Sequence, residues 1–149
     1  MNIVVREADM SDTDAICRLL MLLFEQEADF ASDYERQTRG VMRIISNPEI
    51  GKFFVIEKAD RIVGTASLLF SVSTALGGKV AMLEDFIIHP DNRREGLGRL
   101  LIGKIISYAK ASGCLRLTVM TDNDNTTAQG LYQKAGFKLS KMIPLRLVF

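Results

Sequence analysis

Residues 88–99 read IHPDNRREGLGR, a turn that leads from a strand into a helix. Pro90 ends the strand-like run before it, and from Leu97 onward apolar residues recur at helical spacing. The start of such a helix exposes unpaired backbone N–H groups and a partial positive charge, which both favour a phosphate. Glycines at 96 and 98 let the backbone approach an anion, and three arginines surround the opening: Arg93, Arg94 and Arg99. The alternative is an ordinary glycine turn with solvated arginines.

The size, composition and charge of the chain limit its class. We expect its 149 residues to form a single domain, 1–149, large enough to bury a core without disulfides or a structural metal. Apolar residues make up 48% and charged residues 25%, which is ordinary globular composition. The net charge of +1 gives no electrostatic reason to expect nucleic acid or an anionic membrane as a partner. The longest apolar run, residues 19–24, is too short to span a bilayer.

The two cysteines and the N-terminus indicate the compartment. Cys17 and Cys114 fall on a predicted helix and at a strand start, far apart in the sequence. This arrangement favours reduced, buried thiols in a cytoplasmic protein over a disulfide. The N-terminus lacks a basic segment followed by an apolar run, so we expect no signal peptide.

Apolar periodicity predicts the order β-α-α-β-β-β-α-β-α-β-β, a mixed α/β sheet covered by helices. The first helix follows a cap at Ser11 or Asp12. A tight turn at 59–61 makes a hairpin of the second and third strands. The predicted strands are 3–6, 53–57, 62–70, 80–88, 115–120, 137–139 and 142–149. The other predicted helices are 32–45, a helix from Leu97 to its end at Gly113, and 125–135.

Two other phosphate-binding motifs do not fit the sequence. A dinucleotide fingerprint starting at Gly96 needs a third glycine where the chain has Leu101. A Walker A loop that ends in Gly78-Lys79 needs glycine at 73 and Ser or Thr at 80, but these are Ser73 and Val80. Neither nucleotide fold is supported.

The turn and a second motif downstream resemble the GCN5-related N-acetyltransferase family. Arg93-x-x-Gly96-x-Gly98 matches that family's coenzyme loop, and the strand before it, 83–88, is similar to the family's fourth strand. The downstream motif is Asn125-x-x-Ala128-x-x-x-Tyr132-x-x-x-Gly136-Phe137. The resemblance covers essentially the whole chain, although the first half matches only in element order. It implies a central mixed, mostly antiparallel twisted sheet flanked by helices.

The resemblance also implies a cosubstrate and its contacts. The cosubstrate would be acetyl-CoA, with no metal, and the chain would form a homodimer to which the strand 142–149 could contribute. Backbone groups of Phe86, Ile87 and Ile88 would bind the pantetheine arm. Asn125 and Tyr132 would also contact the coenzyme. The pyrophosphate would be held by Arg93, Arg94, Glu95, Gly96, Leu97, Gly98 and Arg99.

Acetyl transfer to an amine needs a base and an acid. An aliphatic amine has a pKa of about 10 and is protonated at neutral pH, so it must lose a proton before it attacks the thioester. The departing thiolate is then stabilised by a proton donor. Tyr132 is the candidate acid, and the alternative is a tyrosine that only packs in the core. Glu84 is the candidate base, because strict strand alternation puts it on one face with Phe86 and Ile88. A bulge in this strand, which the resemblance implies, would change that alternation, so Asp85 is the rival.

The acceptor is less well defined. The Glu84-Asp85-Phe86 run resembles the subgroup that acetylates polyamines and other small amines. Acidic residues between the first two helices would attract a cationic amine or form a solvated loop: Glu25, Glu27, Asp29, Asp33 and Glu35. A protein amino group is an alternative acceptor, and a non-catalytic CoA-sensing domain is the alternative from another class. His89 is the only histidine, and Asp122-x-Asp124 lacks the rest of a calcium loop, so neither predicts a metal site.

Overall fold

A computed structural model describes residues 2–26 and 33–149. Its five strands form one sheet in the order β1-β2-β3-β4-β5, antiparallel except for the parallel pair β4 and β5. The elements are β1 (Ile3–Glu7), α1 (Thr13–Gln26), α2 (Tyr34–Ser46), β2 (Gly51–Lys58), β3 (Arg61–Ser73), β4 (Gly78–Ile88), α3 (Leu97–Ala111), β5 (Leu117–Val119) and α4 (Thr126–Lys134). This confirms the predicted mixed, mostly antiparallel sheet flanked by helices.

The first helix starts differently from the prediction of a cap at Ser11 or Asp12. A short 3-10 turn, Met10–Asp12, precedes α1, and Asp9 caps it by accepting from the backbone N–H of Ser11. The Asp12 carboxylate accepts in turn from the Asp9 backbone N–H at 2.8 Å, so the two aspartates form a capping box. The cap therefore lies at least two residues earlier than the sequence suggested.

The turn between β2 and β3 is the predicted tight hairpin. Ala59 and Asp60 have φ of 51° and 62°, the positive values that a two-residue hairpin turn requires at both central positions. The strands beyond it are longer than predicted, since β3 reaches Ser73 and β4 already begins at Gly78. Backbone hydrogen bonds between β3 and β4 extend both strands into residues 71–73 and 78–79, whose composition alone does not predict a strand.

The sheet has a hydrophobic core on each face. One core packs α1 and α2 on β2, and its buried members are Ile16, Cys17, Leu20, Val41, Phe53 and Val55. The other packs α3 on the sheet, with Leu97, Leu101, Ile102 and Ile105 against Phe54, Ile56, Leu68 and Leu83. Both cysteines are free; burial raises the pKa of the Cys17 thiol, whereas Cys114 is only partly buried, contrary to expectation. Among the helices described, none is both long and apolar enough to cross a membrane.

The two predicted final strands, 137–139 and 142–149, are not formed. In the described part of the chain the sheet ends at β5, and residues 138–149 pair with no strand. A strand exists only where a neighbour supplies its hydrogen-bond partners, and an apolar pattern alone does not supply one. The β-rich composition of this segment was therefore not enough to place it in the sheet.

Candidate active site

A cleft opens where β4 and β5 part. The two strands pair only at Ala81↔Leu117, Met82↔Thr118 and Leu83↔Val119, after which β5 ends and β4 continues to Ile88. The cleft has a volume of about 1950 Å³, and the end of β4, the start of α3 and α4 line it. Because β5 has ended, the edge of β4 beyond Leu83 faces this cleft instead of a neighbouring strand.

A β-bulge interrupts β4 at the cleft. Thr65 of β3 pairs with Ile87 and Ser67 pairs with Glu84, so an advance of two residues along β3 corresponds to three along β4. Asp85 lies in this bulge with φ of 53°, a left-handed conformation that is unusual for a residue with a side chain. The bulge that the family resemblance implied is therefore present.

The bulge overturns the strict alternation predicted for β4. Phe86 and Ile88 pack with Leu83 in the core beneath α3. Glu84 alternates with Leu83 and therefore faces the opposite side of the sheet, towards α1, rather than sharing a face with Phe86 and Ile88. Both Glu84 and Asp85 still line the cleft, so both carboxylates remain candidates for the base.

The start of α3 presents unpaired backbone N–H groups to the cleft. Gly96 is the N-cap, with φ of 77°, and no side chain caps the helix. The helical hydrogen bonds begin with Leu100 N–H donating to Gly96 C=O at 3.2 Å. The three residues of the first helical turn, which come before Leu100, line the cleft: Leu97, Gly98 and Arg99. Together with Arg94, at φ of 63°, this forms a concave backbone site suited to an anion.

The arginines around this turn are used differently. Arg93 Nε donates to the Ile88 carbonyl at 3.2 Å, and its Nη2 donates to Gln26 Oε1 at 3.5 Å. Arg93 thus ties the turn to β4 and α1. Arg93 is nevertheless exposed and lines the cleft, as Arg94 and Arg99 do, so all three supply positive charge there.

Glu95 lies apart from the other predicted coenzyme-binding residues. Its carboxylate pairs with Lys58 at the end of β2, with Nζ to Oε1 at 3.0 Å. It is not among the residues that line the cleft. The structure therefore shows Glu95 anchoring the turn to the sheet.

α4 forms the wall opposite the turn. Asn125 Oδ1 accepts from the Ala128 backbone N–H at 3.1 Å, so this side chain is the N-cap of α4, and it lines the cleft. Tyr132 is 7% exposed and its ring lies edge-on against Phe86 and Phe137, each with a centroid distance of 5.8 Å. Packing therefore sets the direction of the tyrosine ring at the cleft wall.

Several residues that line the cleft lie outside the two sequence motifs and were not predicted as site residues. Leu23 and Gln26 come from the last turns of α1, and residues 119–123 comprise the last residue of β5 and the four that follow it. Three more belong to the C-terminal region: Ile143, Pro144 and Arg146. These positions are far apart in sequence, and only the tertiary fold brings them to one cleft.

The acidic stretch between α1 and α2 is described only in part. Glu25 is exposed near the end of α1, and Asp33 caps α2 by accepting from the Arg36 backbone N–H at 3.1 Å. Glu27 and Asp29 lie outside the described residues. His89 accepts from the Asp91 N–H at 3.1 Å and caps a short turn. Within 2–26 and 33–149, no group of three or more His, Cys, Asp and Glu side chains could hold a metal ion.

Comparison with known proteins identifies the family. The family model described as the Acetyltransferase (GNAT) family matches residues 13–137. A glucosamine 6-phosphate N-acetyltransferase of Trypanosoma brucei brucei is 32% identical over 90 residues, or 60% of this chain and 59% of that protein. The chain thus matches less than two thirds of the trypanosomal protein's length. A thialysine N-epsilon-acetyltransferase of Bos taurus is 27% identical over 144 residues, covering 90% of this chain and 83% of the bovine protein.

The fold is also found in solved structures. The crystal structure of a predicted acetyltransferase with acetyl-CoA from Clostridium acetobutylicum has a TM-score of 0.79 to this chain. The match covers 97% of this chain and 96% of that chain, at 17% sequence identity. At this identity the likeness establishes the fold alone.

Proposed function

The chain belongs to the acetyltransferase (GNAT) family of N-acetyltransferases, and we propose that it transfers an acetyl group from acetyl-CoA to a small primary amine. The amine attacks the thioester directly while both substrates are bound. One observation carries the proposal: the uncapped start of α3, Glu84 and the buried Tyr132 all line one cleft. Anion binding and acid–base chemistry are therefore available at the same place.

The coenzyme would lie between β4 and α4. The pyrophosphate accepts hydrogen bonds from the backbone at 96–99, with added attraction from Arg94 and Arg99. The pantetheine arm runs along the part of β4 that β5 leaves uncovered, where Phe86, Ile87 and Ile88 line the cleft. Its amides would pair with β4 as an added strand does. Asn125, at the start of α4, contacts the coenzyme from the other wall.

Glu84 would take the proton from the amine. Making the free amine at pH 7 costs about 4 kcal/mol, at ~1.4 kcal/mol for each pH unit below its pKa. A carboxylate near the amine, directly or through water, lowers this barrier. We favour Glu84 over Asp85 because Glu84 faces the α1 side of the sheet, where Leu23 and Gln26 complete the cleft.

Tyr132 would return a proton to the thiolate of CoA as the amide forms. Its ring is fixed between Phe86 and Phe137, so its hydroxyl needs little reorganisation when charge develops on sulfur. No covalent enzyme intermediate is required, because bringing amine and thioester together already removes much of the entropic barrier.

A small amine acceptor is favoured by the relatives. Glucosamine 6-phosphate and thialysine, named in two of them, are both small primary amines. A polyamine remains a candidate on the resemblance of 84–86, and a protein amino group is the alternative. We also propose a cytoplasmic location, which agrees with two free thiols.

The test is release of CoA thiol from acetyl-CoA with a panel of acceptors. The panel holds glucosamine 6-phosphate, thialysine, a polyamine and a lysine peptide, and we expect turnover with at least one of the three small amines. Turnover with the peptide alone would favour the protein acceptor. Tight CoA binding without turnover of any acceptor would instead support the CoA-sensing domain.

A further inference from the structure

An ion pair joins the turn before α3 to a strand that is distant in the sequence. Glu95 lies in this turn, and Lys58 is the last residue of β2. Both carboxylate oxygens of Glu95 accept from Lys58 Nζ, with Oε1 at 3.0 Å. The side chains of Lys58 and Glu95 are 21% and 31% exposed, so water screens this pair less than it screens a fully exposed one.

The backbone on both sides of Glu95 has a conformation that needs support. Arg94 has φ of 63° and Gly96 has φ of 77°, so both neighbours of Glu95 are left-handed. For Arg94, which carries a side chain, this conformation is unfavourable and persists only where the surrounding structure fixes it. Because Glu95 lies between the two left-handed residues, its ion pair acts directly on the strained stretch.

The other anchors of the turn come earlier in the chain. The His89 N–H donates to the Val63 carbonyl at 2.7 Å, at the start of the turn. Arg93 Nε donates to the Ile88 carbonyl at 3.2 Å. Of these described anchors, the ion pair of Glu95 is the nearest in sequence to the backbone N–H groups at 96–99. These are the groups that the proposed pyrophosphate site uses.

We propose that Lys58 and Glu95 are positioning residues, whose ion pair holds the turn in its coenzyme-binding conformation before the coenzyme arrives. Neither is among the described residues that line the cleft. The pair raises the affinity for CoA through the backbone at 96–99, because N–H groups that are already in place lose less freedom on binding. This inference rests on the proposed coenzyme site and adds two residues outside the cleft to it.

The negative charge of Glu95 distinguishes positioning from direct electrostatics. A carboxylate near a pyrophosphate repels it, so by charge alone the removal of Glu95 should strengthen CoA binding. Positioning predicts the opposite sign, because the turn loses its anchor. Removal of Lys58 weakens CoA binding under both explanations, so the sign of the Glu95 effect is the decisive observation.

Calorimetric titration of CoA into Glu95→Met, Lys58→Met and the double variant is the first test. Methionine keeps most of the side-chain volume and carries no charge. We expect each single variant to bind CoA about tenfold more weakly, and the double variant to bind no more weakly than either, because all three lose the same anchor. If Glu95→Met binds CoA as tightly as the native chain, or more tightly, the proposal is overturned. Glu95→Gln, which keeps the side-chain shape, repeats the test if circular dichroism shows that Glu95→Met does not fold.

A second ion pair on β2 supplies the matched control. Lys52 Nζ and Glu7 Oε1 are 3.0 Å apart, and neither residue is among the described ones that line the cleft. Lys52→Met and Glu7→Met remove the same charges from the same strand and its neighbour. Both variants should bind CoA within about twofold of the native affinity. A loss in them equal to that in Glu95→Met would indicate general loosening of the sheet and would refute a specific role for Glu95.

Limited trypsin digestion tests the turn without any ligand. Arg93 and Arg94 lie in the turn, and Lys58→Met leaves residues 93–96 unchanged. We expect trypsin to cut this variant after Arg93 or Arg94 about fivefold faster than the native chain, because cleavage requires local opening. Lys52→Met should be cut there at the native rate. Weaker CoA binding in Lys58→Met with unchanged cleavage would mean that Lys58 acts by its charge, which contradicts positioning.

Steady-state kinetics separates positioning from chemistry. In Lys58→Met we expect the KM for acetyl-CoA to rise about tenfold while kcat changes little, because the pair lies away from the reacting groups. A fall in kcat with an unchanged KM would contradict a role in coenzyme affinity.

CoA binding by the native chain distinguishes failure of this inference from failure of the proposed function. If the native chain binds no CoA, the proposed coenzyme site is wrong and the positioning role is wrong with it. If the native chain binds CoA and Glu95→Met binds it equally well, the coenzyme site stands and only the positioning role is refuted.

Discussion

Tyr132 and Glu84 contribute to the cleft in different ways. Tyr132 is buried and held by two aromatic rings, so its position depends on packing. Glu84 is the last residue of β4 in regular register before the bulge at Asp85, and it lines the cleft, so its position depends on the backbone pairing of β4. Substitutions that keep side-chain size can therefore separate chemistry from structure at both positions.

Removing the Tyr132 hydroxyl should slow the reaction without loosening the fold. Tyr132→Phe keeps the ring contacts but removes the proposed proton donor, so we expect kcat to fall roughly 10²- to 10⁴-fold. The KM for acetyl-CoA should change little. The control is Tyr108→Phe, whose ring packs on Phe54 outside the cleft. An unchanged kcat in Tyr132→Phe would rule out its role as acid.

The two neighbouring carboxylates can be told apart by pH. Glu84→Gln should lower kcat/KM at pH 7, again roughly 10²- to 10⁴-fold. The loss should shrink by up to about tenfold per pH unit towards the amine's pKa, because the solvent then supplies the free amine. The comparison is Asp85→Asn over the same pH range. If kcat/KM falls only in Asp85→Asn, and recovers towards the amine's pKa as expected above for Glu84→Gln, then Asp85 is the base.

At the scale of elements, the start of α3 depends on its two glycines for different reasons. Gly96 has φ of 77°, so a side chain there is strained. At Gly98 an added Cβ would lie 3.4 Å from Leu131 and 3.8 Å from Ile88, ordinary contact distances. A side chain at position 98 would therefore fit within the protein itself, whereas the coenzyme backbone contact that we propose here would require a glycine.

Gly98→Ala tests that explanation. We expect the variant to fold normally and to bind CoA about tenfold or more weakly, a loss near 1.4 kcal/mol, measured by titration calorimetry. Gly40→Ala in α2 is the control, since Gly40 has no neighbour within 4 Å and lies away from the cleft. Equal CoA affinity in Gly98→Ala and the native chain would mean that no ligand approaches this backbone.

Prediction from sequence worked best for elements whose signal is local. Pro90 and the apolar spacing after Leu97 place the turn and α3 correctly, because both act within a few residues. Alternation failed in β4 because Asp85 adds an extra residue that only the pairing with β3 reveals. The final strands failed for a similar reason, since residues 142–149 have strand composition without a neighbouring strand in the described chain.

At the scale of the whole molecule, one charged network joins the N-terminal elements. Arg6 of β1 donates to both Asp12 oxygens, at 2.8 and 2.9 Å, and to Glu57 of β2 at 2.8 Å. Asp12 is 6% exposed, and the Arg6 guanidinium holds the pKa of its carboxyl below the usual range. The network ties the edge of the sheet to the start of α1.

This network should make stability fall in acid. Because the folded-state pKa of Asp12 is lowered, its contribution is full above the unfolded pKa of about 4 and is lost as pH falls through the folded value. Asp12→Asn should cost about 2 kcal/mol at pH 7 and should flatten the acid limb of stability measured by urea unfolding. Asp14→Asn removes an exposed pair with Arg18 and should cost well under about 1 kcal/mol. Equal losses in the two variants would contradict this account.

Sequence alone identified the family, the order of the elements up to α4, and the glycine-containing turn at 93–98 that leads into α3. These rest on local chemistry: glycine backbone freedom, proline, helix ends and apolar period. Tertiary structure decided how the side chains are used: Arg93 binds Ile88 and Gln26, and Glu95 holds Lys58. It also decided the face of Glu84 and the exposure of 138–149. The face of Glu84 and the exposure of 138–149 both depend on which strands pair. Strand pairing is set by contacts between residues that are distant in the sequence, so local sequence signals do not reveal it.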